Sequence, residues 1–246
     1  MTATLQGRTI LVTRPRAEAG ELATKLEERG ARALVAPAIQ IHPAEDDEAV
    51  TRAIVGLAEG RFEWLVVTSQ AGVRALADAG LEGVEADIAA VGEGTAAALR
   101  AVGLEPALVP STYTTDALAR AMPPGRGEVL LARADIAPDG LEEALAAKGW
   151  TPIRVDAYRT ETPRSLPAEA RRALDRGEVD AITFTSASTV RGFVRLAGVP
   201  QGPKIVCIGP VTAEEARVAG MTVDAEARPH TIDGLVVALE RLLGPA

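Results

Sequence analysis

The segment VTSQAGVRAL (Val67–Leu76) returns as FTSASTVRGF (Phe184–Phe193), with Thr68 and Thr185 117 residues apart. VGEGTAAAL (Val91–Leu99) returns as IGPVTAEEA (Ile208–Ala216), and Val91 to Ile208 is again 117. The same spacing joins Gly103 with Gly220, Thr114 with Thr231, Asp116 with Asp233 and Leu118 with Leu235. TILVTR (Thr9–Arg14) matches EVLLAR (Glu128–Arg133) at a spacing of 119, which also joins Gly30 with Gly149. So many matches in steady register mark an internal duplication, and the small change of spacing marks one altered loop.

Around these anchors, short apolar runs alternate with helical patterns. Strands are expected at Thr9–Thr13, Ala33–Ala36, Trp64–Thr68, Ile88–Val91 and Ala107–Val109. Helices are expected at Ala17–Arg29, Asp46–Glu59, Ala71–Ala79 and Gly94–Val102, and the order repeats from Glu128. Such alternation implies a mostly parallel sheet flanked by helices. Two polar stretches, Ile39–Asp47 and Tyr158–Pro167, carry proline and charge and suit extended linkers. Contiguous halves would need one crossing, whereas two linkers imply two. The expected fold class is therefore α/β: two similar domains with mostly parallel sheets flanked by helices, joined by a two-strand linker. The first domain is discontinuous, residues 1–37 plus 165–246; the second is 46–153; 38–45 and 154–164 are the linker strands.

Composition narrows the function classes. The chain has 246 residues, 47% hydrophobic and 24% charged, which suits a globular protein. The opening MTATLQGRTILVTRP carries no signal-peptide pattern, and no run reaches the roughly 18 to 20 apolar residues of a membrane helix. With a single cysteine and two distant histidines, neither an internal disulfide nor a structural zinc site is expected. A net charge of −8 argues against nucleic acid as partner and leaves an anionic small molecule open. The expectation is a cytoplasmic protein, off the membrane, with no metal.

Open parallel sheets bind ligands at the carboxyl ends of their strands. Here those ends read Thr13-Arg14-Pro15, Thr68-Ser69 and Val91-Gly92 in one copy and Ala132-Arg133, Thr185-Ser186 and Ile208-Gly209 in the other. The serines and threonines could simply cap the following helices, or help bind an anion at a helix N-terminus. Arg14 and Arg133 hold matched strand ends, where carboxylate binding stands against ordinary solvated surface. Gly92-Glu93-Gly94 resembles the start of a dinucleotide fingerprint, but no acidic residue follows the next strand and the second copy loses the second glycine. His230 precedes a helix start and reads as a surface or capping residue; Cys207 lies within an apolar strand and reads as buried and inert.

Tyr158 breaks the repeat: at the spacing of 119 its counterpart is Ile39. It is either an aromatic packed on the hinge or a phenol that donates a proton or hydrogen bond.

Seven segments taken in order resemble the uroporphyrinogen-III synthase family: ILVTRP, VVTSQAGVRAL, AAVGEGTAAAL, VDAYRT, ITFTSASTVRGF, CIGPVTAEEARVAG and HTIDGLVVAL. The resemblance covers nearly the whole chain. It implies two α/β domains joined by a pair of extended strands, with the N-terminal βαβ piece completing the C-terminal domain. It implies a reaction without a cofactor, in which hydroxymethylbilane loses its hydroxyl to give an azafulvene cation. That cation attacks the substituted end of ring D, and a spiro intermediate rearranges to the inverted, closed macrocycle. It gives Tyr158 the role of general acid and makes Ser69, Thr95, Ser186 and Thr212 substrate contacts. Arg14 is a family-like position, and Arg133 follows from the repeat. Gln70 stands where many members carry proline. A monomer is expected, with transient contact to the preceding pathway enzyme. The alternative is a non-catalytic two-lobed module that senses a tetrapyrrole or another small anion.

Overall fold

A computed structural model describes residues 4–244. Two compact units are present, Met1–Gln40 with Glu161–Ala246, and Ile41–Thr160.

The first unit begins with β1 (Thr9–Val12), α1 (Arg16–Glu27) and β2 (Arg32–Val35). The chain then runs through the second unit: β3 (Gln40–Pro43), α2 (Asp47–Ala58), β4 (Phe62–Val67), α3 (Gln70–Asp78), β5 (Asp87–Ala90), α4 (Glu93–Ala101) and α5 (Thr115–Ala121). It continues there with β6 (Glu128–Ala134), α6 (Gly140–Ala146) and β7 (Thr151–Glu161). The first unit is completed by α7 (Ala168–Asp175), β8 (Ala181–Phe184), α8 (Ala187–Ala197), β9 (Lys204–Cys207), α9 (Pro210–Val218), β10 (Ala225–Glu226) and α10 (Ile232–Leu243).

The sheet of the first unit has the order β10-β9-β8-β1-β2, with every neighbouring pair parallel. Strand β1 shows why. All four of its residues are buried; Leu11 faces one apolar core, while Ile10 and Val12 face the other. A strand covered on both faces is a continuous apolar run, which is the mark of a parallel sheet between helix layers.

The sheet of the second unit has the order β3-β7-β6-β4-β5, and the β7–β6, β6–β4 and β4–β5 pairs are parallel. Its stretch β5-β4-β6-β7 repeats β9-β8-β1-β2 of the first unit. Even the bridge between Ala89 and Leu108 matches the pairing of Val206 with Ala225 at the spacing of 117. Each unit thus draws its β-α-β from one copy of the repeat and its following strands from the other. The polar stretches expected as linkers contain paired strands: β3 and β7 are hydrogen-bonded neighbours, and β7 runs on to Glu161.

Candidate active site

In doubly wound sheets, ligands bind where the strand order reverses, outside the carboxyl ends. In the second unit that place lies between β4 and β6. Strand β4 ends at Val67, and Ser69 caps α3, its Oγ accepting the Gly72 N–H at 2.9 Å. Gly72 is closely packed, since an added Cβ would stand 3.3 Å from both Ser69 Oγ and Val67 Cγ1.

Tyr158 reaches this cap through an irregularity in β7. Arg133 pairs with Asp156, but Ala134 pairs with Tyr158, so Ala157 is an extra residue opposite the β6 ladder. A bulge of this kind re-aims the side chains that follow it. Strict alternation would put Tyr158 on the face of exposed Asp156. With the extra residue, Val155, Ala157 and Tyr158 all join the core that also contains Leu65, Val67 and Leu130. The tyrosine is 8% exposed, and its Oη lies 2.9 Å from Ser69 Oγ. It therefore belongs to a sheet strand and its core, rather than to a linker outside the second domain.

In the first unit the arrangement changes while the scaffold repeats. Ile39, the counterpart of Tyr158, is buried, and its Cγ2 would meet an added Cβ on Gly192 at 3.0 Å. Ser186, the counterpart of Ser69, turns to its own helix. Its Oγ accepts the Thr189 N–H at 3.2 Å while its own N–H donates to Thr189 Oγ1 at 3.3 Å, a capping box, and its Oγ also lies 2.9 Å from Ser188 Oγ. The pairing of serine with phenol is confined to one of the two otherwise matched positions.

The remaining expected residues are placed as follows. Arg14 and Arg133 are not solvated surface. Arg14 is 6% exposed with Nη2 3.1 Å from Glu18 Oε2. Arg133 is 2% exposed; Nη1 reaches Glu142 Oε2 at 2.5 Å and the Pro138 carbonyl at 2.9 Å. Both guanidinium groups are thus engaged by carboxylates of the same chain. Thr95 and Thr212 are buried in the first turns of α4 and α9. His230 is half-buried, with Nδ1 2.8 Å from the Ala227 carbonyl. Cys207 is fully buried, and burial pushes its thiol up to about 12. Among the described residues, no three His, Cys, Asp or Glu side chains are grouped to hold a metal ion, and no helix is long and apolar enough to cross a membrane.

One residue at this edge was not singled out from the sequence. Tyr113 packs on Gly92 so closely that an added Cβ there would lie 2.7 Å from its Cγ. Gln70 covers Gly94 in the same way, with Nε2 2.8 Å from an added Cβ. These side chains lie over the two glycines that a dinucleotide fingerprint leaves open to a pyrophosphate. The signal was available: at the spacing of 117, Tyr113 falls on His230, and His230 lies against Gly209 as Tyr113 lies against Gly92.

Comparison with known proteins accords with this architecture. The family model described as uroporphyrinogen-III synthase HemD matches residues 20–237. A uroporphyrinogen-III synthase from Synechococcus elongatus is 31% identical over 255 residues, covering 96% of this chain and 96% of that protein. A porphyrin biosynthesis protein HemD from Ruminiclostridium josui is 32% identical over 252 residues, covering 98% of this chain and 49% of that protein. The solved structure of a mutant uroporphyrinogen III synthase from the extremely thermophilic bacterium Thermus thermophilus matches with a TM-score of 0.68 at 25% identity, over 96% of this chain and 98% of that one. The same duplicated α/β scaffold, the matched strand ends and these full-length likenesses lead to one conclusion: the chain belongs to the uroporphyrinogen-III synthase family.

Proposed function

We propose that this chain converts hydroxymethylbilane to uroporphyrinogen III, with inversion of ring D and loss of water, and that Tyr158 is the general acid. The observation that carries the acid role is the 2.9 Å contact between Tyr158 Oη and Ser69 Oγ, which the matched pair Ile39 and Ser186 lacks.

The geometry suits the first step. Ser69 Oγ already accepts the Gly72 N–H, so its own proton can turn toward the phenol oxygen. In that orientation the phenol directs its hydrogen to the departing hydroxyl of the bilane. The carbon–oxygen bond breaks, the phenol proton leaves with the hydroxyl as water, and the azafulvene cation remains. Ser69 then donates to the phenolate it faces, a charge-assisted bond stronger than a neutral one. General acid assistance is typically worth about 10² to 10⁴ in rate. The bilane also closes unaided to the wrong isomer, so the site must favour the spiro path by holding ring D in place, which is catalysis by positioning.

The bilane carries many carboxylates. Ser69 and Ser186 are proposed as contacts for them, together with the first turns of α4 and α9 that contain Thr95 and Thr212. Arg14 and Arg133 enter by holding the strand ends in shape, since each guanidinium is already paired with a carboxylate of its own chain. The reading includes a monomeric cytoplasmic enzyme that works without a cofactor and receives its unstable substrate from the enzyme before it. Supplying the protein with freshly generated hydroxymethylbilane, then oxidising and separating the products, tests the proposal. Type III porphyrin in excess is expected; type I alone would refute it.

A further inference from the structure

The two copies of the repeat part company a second time, between β6 and α6. At the spacing of 119, the last residue of α1, Glu27, falls on Ala146, the last residue of α6. The two helices therefore end in register, but α1 starts at Arg16 and α6 only at Gly140. Arg16–Gly20, helical in the first copy, corresponds to Asp135–Asp139, which is unwound in the second.

Unwinding a helical turn leaves carbonyls to be satisfied, and an arginine does this. Arg154 Nη2 donates to the carbonyls of Ala134 and Asp135 at 3.1 Å each. Its Nη1 donates to the Ala137 carbonyl at 2.9 Å and to Asp139 Oδ1 at 2.7 Å. The guanidinium fork suits several acceptors at once. The counterpart of Arg154 in the first copy is Val35, which has no donor to offer.

The turn so held grips β7 just after the tyrosine's side chain, beyond the bulge at Ala157. The Asp135 N–H donates to the Tyr158 carbonyl at 3.1 Å, and Asp135 Oδ1 accepts the Thr160 N–H at 2.9 Å. The counterparts of Asp135 and Thr160 are Arg16 and Ile41, which cannot reproduce the side-chain bond. Both departures from the repeat, the tyrosine and the unwound turn, are thus joined by hydrogen bonds.

We infer that Asp135 is a positioning residue for Tyr158. Held by Arg154, it fixes the backbone just beyond the bulge and so sets the aim of the phenol at the leaving hydroxyl. The inference rests on the acid role proposed above. A misplacement of about 1 Å at a reacting group can cost up to about 10²-fold in rate, so a partial loosening of this grip belongs nearer tenfold.

The test compares the full-length protein with Asp135→Ala, Asp135→Asn, Tyr158→Phe and the double variant Asp135→Ala/Tyr158→Phe. The readouts are kcat and KM for type III formation. Asp135 is exposed, so its truncation opens no cavity. Should the alanine variant fail to accumulate, Asp135→Glu displaces the same carboxylate by one methylene. Asp135→Ala is expected to lower kcat by about tenfold with KM little changed. Asp135→Asn keeps an oxygen for the Thr160 N–H and is expected to restore most of the rate. The double variant is expected to be no slower than Tyr158→Phe alone, because residues acting as one unit are not additive. Full kcat in Asp135→Ala beside a slow Tyr158→Phe would overturn the inference and leave the acid role standing. Multiplying losses in the double variant would also overturn it. Full kcat in Tyr158→Phe would remove the acid role and the inference together.

Discussion

Replacing Ser69 by alanine removes two interactions from one atom. Its Oγ accepts the Gly72 N–H and faces Tyr158 Oη, each at 2.9 Å. Loss of the helix cap costs about 1 kcal/mol, and loss of the bond to the tyrosine costs about 1 kcal/mol more. In a chain of this length each kcal/mol lowers Tm by about 2–4 °C, so a fall of about 4–8 °C is expected. Ser186→Ala removes the matched cap to Thr189 and the contact with Ser188, so its Tm should fall by a similar amount. Kinetics should separate the two. Ser69→Ala also removes the donor facing the phenolate, and a hydrogen bond to a charged group is worth about 1.5–3 kcal/mol. That translates into a loss of about ten- to a hundredfold in kcat. Ser186→Ala has no phenol beside it and should act through KM. The assay is initial rates of type III formation across substrate concentration, with thermal unfolding of each variant. Equal effects on kcat, or none in Ser69→Ala, would refute the pairing of Ser69 with Tyr158 in the reaction.

Three further outcomes follow from the packing and charge. Arg133→Ala strands the Glu142 carboxylate, partly relieved by Arg154 at 3.7 Å, and should cost about 3 kcal/mol in urea unfolding; unchanged stability would make Arg133 ordinary surface. Gly20→Ala on the exposed face of α1, with nothing within 4 Å of the new Cβ, should add about 0.5–1 kcal/mol, whereas Gly192→Ala, whose Cβ would lie 2.2 Å from the Ala38 carbonyl, should cost about 1–3 kcal/mol; the same unfolding experiment reads both signs. Burial raises the Cys207 thiol from 9.0 to about 12, so an aromatic disulfide reagent at pH 8 should label it only after unfolding. Between 9.0 and about 12 the unfolded chain loses this proton while the folded chain keeps it, so the contribution of Cys207 to stability should fall across that window.

Most of the sheet architecture was legible because the repeat carries its own coordinates. The spacing of 117 pairs β4 with β8 and β5 with β9, and the spacing of 119 pairs β1 with β6 and β2 with β7. Buried parallel strands are also largely apolar, so Thr9–Val12 and Ala181–Phe184 stand out in the sequence. The aim of Tyr158 was not legible. Alternation along Val155-Asp156-Ala157-Tyr158 assigns the tyrosine to the face of Asp156, and only the extra residue at Ala157 reverses that. The bulge depends on partners far along the chain, such as the Thr160 N–H on Asp135, 25 residues away, and no local periodicity reports such a contact. The unwound turn had a local signal in Pro138-Asp139-Gly140, but the arginine that satisfies its carbonyls, Arg154, lies beyond α6 and no local pattern reports it. The internal ion pairs of Arg14 and Arg133 were not legible either, because their carboxylate partners, Glu18 and Glu142, stand at unmatched places in the two copies.

The account stands most directly on the phenol of Tyr158. Steady-state formation of type III porphyrin by Tyr158→Phe, compared with the unaltered protein, isolates it, since only one oxygen is lost and Ser69 keeps its bond to the Gly72 N–H. The account predicts kcat lower by about 10²-fold or more, with Tm reduced by no more than about 4 °C. An unchanged kcat in a folded variant would contradict it.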